Sequence, residues 1–137
     1  MSSEAFDTLV DDFQMFDDWE ERYRYVIELG KDLPPFDDAL KTDATLVEGC
    51  VSRVWLKESI DEDGRVRFDG DSDAHIVRGL IALLRALYSG RAPQEILDED
   101  AMAALGRIDL SSHLSPQRSN GLHAMIRRIR GFAAAHA

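Results

Sequence analysis

The apolar residues of this chain change their spacing twice, and that change limits the folds it can form. Between residues 4 and 29 they recur every three or four positions, as on one face of a helix. Between residues 51 and 68 they alternate with polar residues around an acidic turn that contains Gly64, which is typical of a β-hairpin. Helical spacing returns at residue 76. The pattern predicts an α+β fold, in which a small antiparallel sheet packs with helices from both ends of the chain.

The length of 137 residues suits one domain with a hydrophobic core. Apolar residues make up 45% of the chain and charged residues 31%, which argues against disorder. We find no internal repeat and no linker rich in glycine or serine. We therefore expect residues 1–137 to form a single domain.

Turn and capping residues predict where the elements begin and end. A first helix covers residues 4–15, and a second begins at Asp17 or Asp18 and ends with a left-handed turn at Gly30. The strand stretch begins near Val51. The remaining signals are an N-cap at Asp71 or Ser72 for the core helix, short helices at 93–97 and 100–106, and a last helix opened by Ser115-Pro116.

The charge is large and uneven. The formal net charge is −10; residues 1–48 alone carry −10, whereas residues 101–137 carry +4. Nucleic acid and anionic membranes would repel such a chain, so we expect neither as a partner. The two charged halves either attract each other within the fold or form a docking face, and composition does not decide between these. With no long apolar run and an acidic start unlike a signal peptide, a cytoplasmic protein is expected.

Cys50 is the only cysteine, which excludes an internal disulfide and a metal site built from several thiolates. A lone cysteine is usually a small buried apolar residue. Gly49 before it permits a tight backbone path that presents the side chain, and an exposed thiolate is a strong nucleophile. A close Glu48 would raise the pKa of the thiol, while an arginine would lower it. The local sequence makes a reactive cysteine plausible.

Other chemistry has weaker support. The four histidines have neither metal-ligand spacing nor a protease signature, and the turn at residues 61–64 lacks the remaining ligands of a calcium loop. We therefore expect no metal site. Arg118 is unusual, because a cation in the first turn of a helix opposes the helix dipole. It predicts either an acidic partner for Arg118 or a bound anion.

Several segments together resemble the SufE family, the sulfur acceptors of cysteine desulfurases in iron–sulfur cluster assembly. They occur in the family's order and near its spacing over roughly residues 18–130. The segments are residues 19–23, 27–30, 47–55, 70–74, 76–81 and 114–122. The stretch at 47–55 contains Cys50 at the position of the family's cysteine.

The resemblance implies a fold shared with the IscU-type scaffolds and a specific function. Cys50 would take a persulfide sulfur from a SufS- or CsdA-like cysteine desulfurase and pass it to an iron–sulfur scaffold protein. The chain would not itself be an enzyme and would bind no cofactor, because the pyridoxal phosphate belongs to the desulfurase. Either a monomer or a homodimer fits. The alternative is a non-catalytic module that regulates a desulfurase, with Cys50 structural.

The apolar residues that flank Cys50, together with the resemblance, suggest what surrounds its side chain. We predict a partly buried resting Cys50 on a mobile loop, with its site lined by Glu48, Gly49, Val51, Asp73 and Arg118. The Arg118 guanidinium would stabilise the thiolate or pair with an acidic group such as Glu48 or Asp73. An ion pair that only anchors the end of the helix is an equally good interpretation.

Overall fold

The computed structural model describes residues 4–137 and has the predicted α+β architecture. Two short 3-10 turns, Asp38–Leu40 and Ser111–His113, lie between the main elements. The main elements, in chain order, are α1 Glu4–Phe13, α2 Trp19–Lys31, β1 Val54–Ile60, β2 Val66–Ser72, α3 His75–Tyr88, α4 Pro93–Asp98, α5 Ala101–Gly106 and α6 Pro116–His136. No helix within residues 4–137 is long and apolar enough to cross a membrane.

The two strands form an antiparallel hairpin, as the alternation predicts. Its register runs from Val54 opposite Ser72 to Ile60 opposite Val66. Gly64 in the connecting turn has φ +78°, a left-handed conformation that glycine adopts without strain. The inward-facing side chains of both strands are buried, and they are Val54, Leu56, Val66 and Phe68. One face of the hairpin therefore belongs to the core.

Helix α3 is the central element of the core. Nine of its residues are buried, in agreement with the predicted apolar spacing. Its predicted N-cap is wrong: Asp71 and Ser72 close β2, and the helix starts after Ala74, whose side chain cannot accept a capping hydrogen bond. Ser72 Oγ still accepts from the Ala74 backbone N–H at 3.2 Å. Buried and exposed residues continue to alternate as far as Ser72, which is 7% exposed, so β2 extends beyond the predicted boundary.

Helices α2 and α3 cross at two glycines, and this corrects the role predicted for Gly30. Gly30 lies inside α2 and does not end it; the helix ends at Lys31. A Cβ on Gly30 would lie 2.6 Å from the Gly79 backbone nitrogen, and a Cβ on Gly79 would lie 2.2 Å from the Val26 carbonyl oxygen. These distances are too short for any side chain. The two glycines allow the helix backbones to touch.

The first two helices agree with the sequence in their starts and less well in their faces. Asp18 caps α2, and its carboxylate accepts from the Glu21 backbone N–H at 2.9 Å. In α1, the predicted stripe is buried at Phe6, Val10 and Phe13. In α2, Tyr23 lies four residues after Trp19 and three before Val26, a spacing that predicts one apolar stripe, but Tyr23 is 40% exposed. The outer turn of α2 thus faces solvent.

Helix α6 packs along the core and bears the basic C-terminal charge. Ser115 caps it, and its side chain accepts from the Arg118 backbone N–H at 3.2 Å, as the Ser115-Pro116 signal predicts. Apolar residues recur at helical spacing along it, and Leu122, Met125, Ile126, Ile129 and Ala133 are buried. The Arg130 guanidinium donates to three carbonyls around the end of α4. The helix is therefore fixed along most of its length.

Candidate functional site: the Cys50 loop

Cys50 lies on a short loop, residues 48–53, which we call the Cys50 loop. Its two ends are joined, because the Val47 backbone N–H donates to the Val54 carbonyl at 2.8 Å. Below this bond, Leu46 bridges to Trp55, and the Leu56 N–H donates to the Thr45 carbonyl at 2.9 Å. The strand therefore begins at Val54, and the expected start near Val51 is wrong. The side chain of Val51 is 75% exposed at the outer side of the loop.

The tip of the loop lies against two small residues of α6. Gly49 has φ +92°, a conformation that side chains other than glycine adopt with strain. A Cβ on Gly49 would lie 3.5 Å from the Ala124 Cβ. One turn earlier on the helix, the Cys50 Sγ lies 3.7 Å from the Gly121 carbonyl oxygen and donates to it. Small side chains on α6 thus let the loop backbone come close.

The resting Cys50 is a partly buried thiol. Burial raises the pKa of the Cys50 thiol above its ordinary value, and the nearby positive charge of Arg127 offsets only part of that increase. At neutral pH the group is therefore protonated. A protonated thiol is a poor nucleophile, so this conformation protects the sulfur and does not activate it.

A cavity of about 190 Å³ opens beside the thiol. Its buried lining residues are apolar, and the more exposed ones, which we call its mouth, include Ser52, Ser115 and the Arg118 side chain. The full lining is Cys50, Val51, Ser52, Val54, Val77, Leu80, Ser115, Gln117, Arg118, Gly121, Leu122 and Met125. Of the site residues suggested by the sequence, Cys50, Val51 and Arg118 line this cavity.

Arg118 has a different partner from those expected. Its guanidinium donates to Ser52 Oγ at 2.8 Å, so the predicted pairing with Glu48 or Asp73 is wrong. Asp73 instead accepts from the Arg53 backbone N–H at 3.2 Å and fixes the exit of the loop. Glu48 is exposed beside Gly49. Arg118 thus holds the loop through a hydroxyl and brings a positive charge to the cavity mouth.

Arg128 holds the base of the loop, and the sequence analysis did not identify it. Its guanidinium makes two bonds to the Glu58 carboxylate, at 2.9 and 3.1 Å. It also donates to the carbonyls of Ala44, Leu46 and Leu56 at 2.9–3.1 Å. One side chain of α6 therefore ties together β1 and the segment that leads into the loop.

The contacts follow one line along α6. Arg118, Gly121 and Ala124 are three residues apart and meet Ser52, Cys50 and Gly49 in turn. Spacing of three and four places residues on one helix face, so this signal was present in the sequence. The spacing becomes informative only when the loop is known to lie on α6. Within residues 4–137, no group of three or more histidine, cysteine, aspartate or glutamate side chains is arranged to hold a metal ion.

Comparison with known proteins identifies the family. The model of the SufE family, described as an Fe-S metabolism associated domain, matches residues 7–133. The chain belongs to the SufE family. The resemblance found in the sequence is confirmed, and with it an association with iron–sulfur metabolism.

Two curated relatives of this SufE family member are similar over nearly their whole length. An uncharacterized SufE-like protein of Rhizobium meliloti is 49% identical over 132 residues, which covers 94% of each chain. A second, from Rhizobium etli, is 50% identical over 129 residues and covers 92% of this chain and 87% of the relative. In structure, the chain resembles a hypothetical protein from Thermus thermophilus that was solved in solution. That match has a TM-score of 0.79 at 20% identity, covering 99% of this chain and 98% of the other, and supports the fold alone.

Proposed function

We propose that the chain is a sulfur acceptor for a cysteine desulfurase and receives the sulfur on Cys50. The observation that carries the proposal is the placement of the only thiol on a closed loop beside a sheltered cavity, in a member of the SufE family. The partner would be a SufS- or CsdA-like desulfurase, which holds its own pyridoxal phosphate. An iron–sulfur scaffold protein would then take the sulfur, and the cytoplasmic location stays a prediction from sequence.

The transfer is a thiol exchange. The Cys50 thiolate attacks the outer sulfur of the desulfurase persulfide, so a new S–S bond forms to Cys50 as the old S–S bond breaks. The desulfurase cysteine leaves as a thiolate, and Cys50 carries the persulfide. Such exchange requires the attacking group to be a thiolate at the moment of contact.

In the resting structure Cys50 is not a thiolate, so formation of the thiolate depends on the partner. Burial keeps the Cys50 thiol protonated, and its Sγ faces the Gly121 carbonyl. Movement of the loop away from α6 would remove the desolvation that raises the pKa of the thiol, and it would make the sulfur accessible to the persulfide of the desulfurase. Docking that favours the opened loop would therefore raise the fraction of thiolate at the place where a persulfide is waiting.

Mass spectrometry after incubation with a desulfurase and L-cysteine tests the proposal. The wild type should gain about 32 Da on the peptide that contains Cys50, and dithiothreitol should remove it. Cys50→Ser should keep its melting temperature, gain no mass and fail to stimulate the desulfurase. Stimulation by the wild type without any adduct would contradict sulfur transfer and favour a regulatory module.

A further inference from the structure

Gly121 is a glycine in the interior of a helix, where this residue is costly. Glycine in a helix destabilises by about 1 kcal/mol relative to alanine, and the atoms that an added Cβ would meet show which helical glycines exclude a side chain. Its backbone is ordinary for a helix, and it does not belong to the glycines with positive φ. Apart from its own helix backbone, the only atoms of the described residues within 4 Å of a Cβ built on it are those of Cys50, with Sγ at 3.4 Å and Cβ at 3.8 Å.

The resting thiol alone does not require a glycine at this position. A methyl group 3.4 Å from Sγ is at the near limit of ordinary van der Waals contact, and alanine would fit against the reduced cysteine. A persulfide differs, because its outer sulfur lies about 2.05 Å from Sγ. An outer sulfur turned towards α6 would overlap a methyl group on residue 121.

We propose that Gly121 is a positioning residue, whose missing side chain leaves the space against Cys50 into which the outer sulfur of the Cys50 persulfide packs. The space adjoins the cavity lined by Leu122 and Met125, so the outer sulfur lies among apolar groups and away from reductants in solvent. Gly121 acts through Cys50 and takes no part in bond making. The proposal deepens the proposed function and rests on it for the biological source of the sulfur.

Gly121→Ala tests the proposal, with Gly131→Ala as a matched control. Gly131 lies on the same helix, and beyond the backbone of that helix no described residue comes within 4 Å of its Cβ position, so its substitution adds the same methyl group in open space. Both variants and the wild type are loaded with sulfur by inorganic disulfide, which donates one sulfur to Cys50 and leaves as hydrosulfide. Loading therefore does not depend on a desulfurase. Dithiothreitol then reduces the persulfide: the outer sulfur leaves as sulfide, and dithiothreitol is oxidised to its cyclic disulfide. Mass spectrometry measures the remaining adduct over time.

We expect the persulfide of Gly121→Ala to be lost at least about fivefold faster than that of the wild type or Gly131→Ala, because it is displaced into solvent. Alkylation of the reduced thiol should differ less than about twofold among the three proteins, since the methyl group tolerates the thiol. Equal rates of persulfide loss would overturn the proposal. Faster alkylation of the reduced Gly121→Ala would also overturn it, because residue 121 would then only seat the thiol.

A measurement on the wild type covers the case in which Gly121→Ala does not fold. Amide hydrogen exchange of residues 48–53 is compared between the reduced and the chemically loaded protein. If the outer sulfur packs against Gly121, the loop stays closed and the protection of these amides is retained on loading. Loss of protection over the whole loop would mean that the persulfide turns outward, and it would refute the proposal. Failure of a desulfurase to load Cys50 would contradict the proposed function and leave both of these readouts intact.

Discussion

Removal of the Arg128 side chain should destabilise the fold more than any other arginine substitution on α6. The guanidinium makes two bonds to Glu58 and three to backbone carbonyls. The Glu58 side chain is only 9% exposed and that of Arg128 is 23% exposed, so water replaces these bonds poorly. Breaking a buried ion pair by removing one partner costs about 3–5 kcal/mol.

For Arg128→Ala we expect the lower end of that range, about 3 kcal/mol of the free energy of unfolding, because the pair lies at the edge of the interior. A domain of this size has about 5–15 kcal/mol, so the variant should still fold at 25 °C. Urea unfolding followed by circular dichroism measures the loss. Hydrogen exchange should also show reduced protection at Val47 and Leu56, whose N–H groups close the base of the Cys50 loop.

Arg127→Ala is the matched control for this prediction. Arg127 is the neighbouring residue with the same charge, but its side chain is exposed, so its removal should change stability by less than about 0.5 kcal/mol. A double-mutant cycle of Arg128→Ala with Glu58→Ala should give a coupling energy of about 1–3 kcal/mol. A loss below about 1 kcal/mol in Arg128→Ala, or one equal to that of the control, would refute the argument that Arg128 fixes the base of the loop.

Three further predictions follow from the packing and from the site. Gly79→Ala should cost about 3 kcal/mol or prevent folding, because its methyl group meets the backbone of α2, whereas Gly106→Ala, which has open space, should be nearly neutral in urea unfolding. The alkylation rate of Cys50 should reach half its maximum at a pH above the ordinary pKa of a cysteine. Because the thiol has a higher pKa in the folded state than in the unfolded state, its contribution to the free energy of unfolding should fall as the pH rises from the ordinary pKa through the raised one. Arg118→Ala and Ser52→Ala remove the same hydrogen bond. If Arg118 only closes the loop, both variants should increase the alkylation rate of Cys50 equally. A loss of sulfur transfer in Arg118→Ala alone would show that the charge of Arg118 takes part in the reaction.

The architecture was predictable because it depends on periodic patterns. Alternation around Gly64 defined the hairpin, and spacing of three and four defined α3 and α6. The cap at Ser115 was also assigned correctly, and Asp18 is one of the two candidates that the sequence offered for the start of α2. Each of these features depends only on residues that are close to one another in the sequence.

Two of the errors share one cause, which is contact between distant segments. Gly30 was interpreted as a helix end because glycine often occupies that position, but its role is to meet Gly79 on another helix. For Arg118 the sequence left open an acidic partner, a bound anion or the thiolate, and its guanidinium instead bonds the Ser52 hydroxyl. No local pattern encodes which surface a loop lies against. The same reason explains why Arg128, the residue that fixes the loop base, was not identified.

The contacts around the Cys50 loop are strong at its base and weak at its tip. The base is held by the ladder between residues 45–47 and β1 and by the bonds of Arg128. The tip is held by a long thiol bond to Gly121 and by one bond between Arg118 and Ser52, together about 2 kcal/mol. A partner can shift the loop outward only by as much as it binds the open form better than the closed one. An interface with a differential affinity of that size would release the cysteine while the core and the loop base stay in place, so the cost of exposing the sulfur is separated from the stability of the fold.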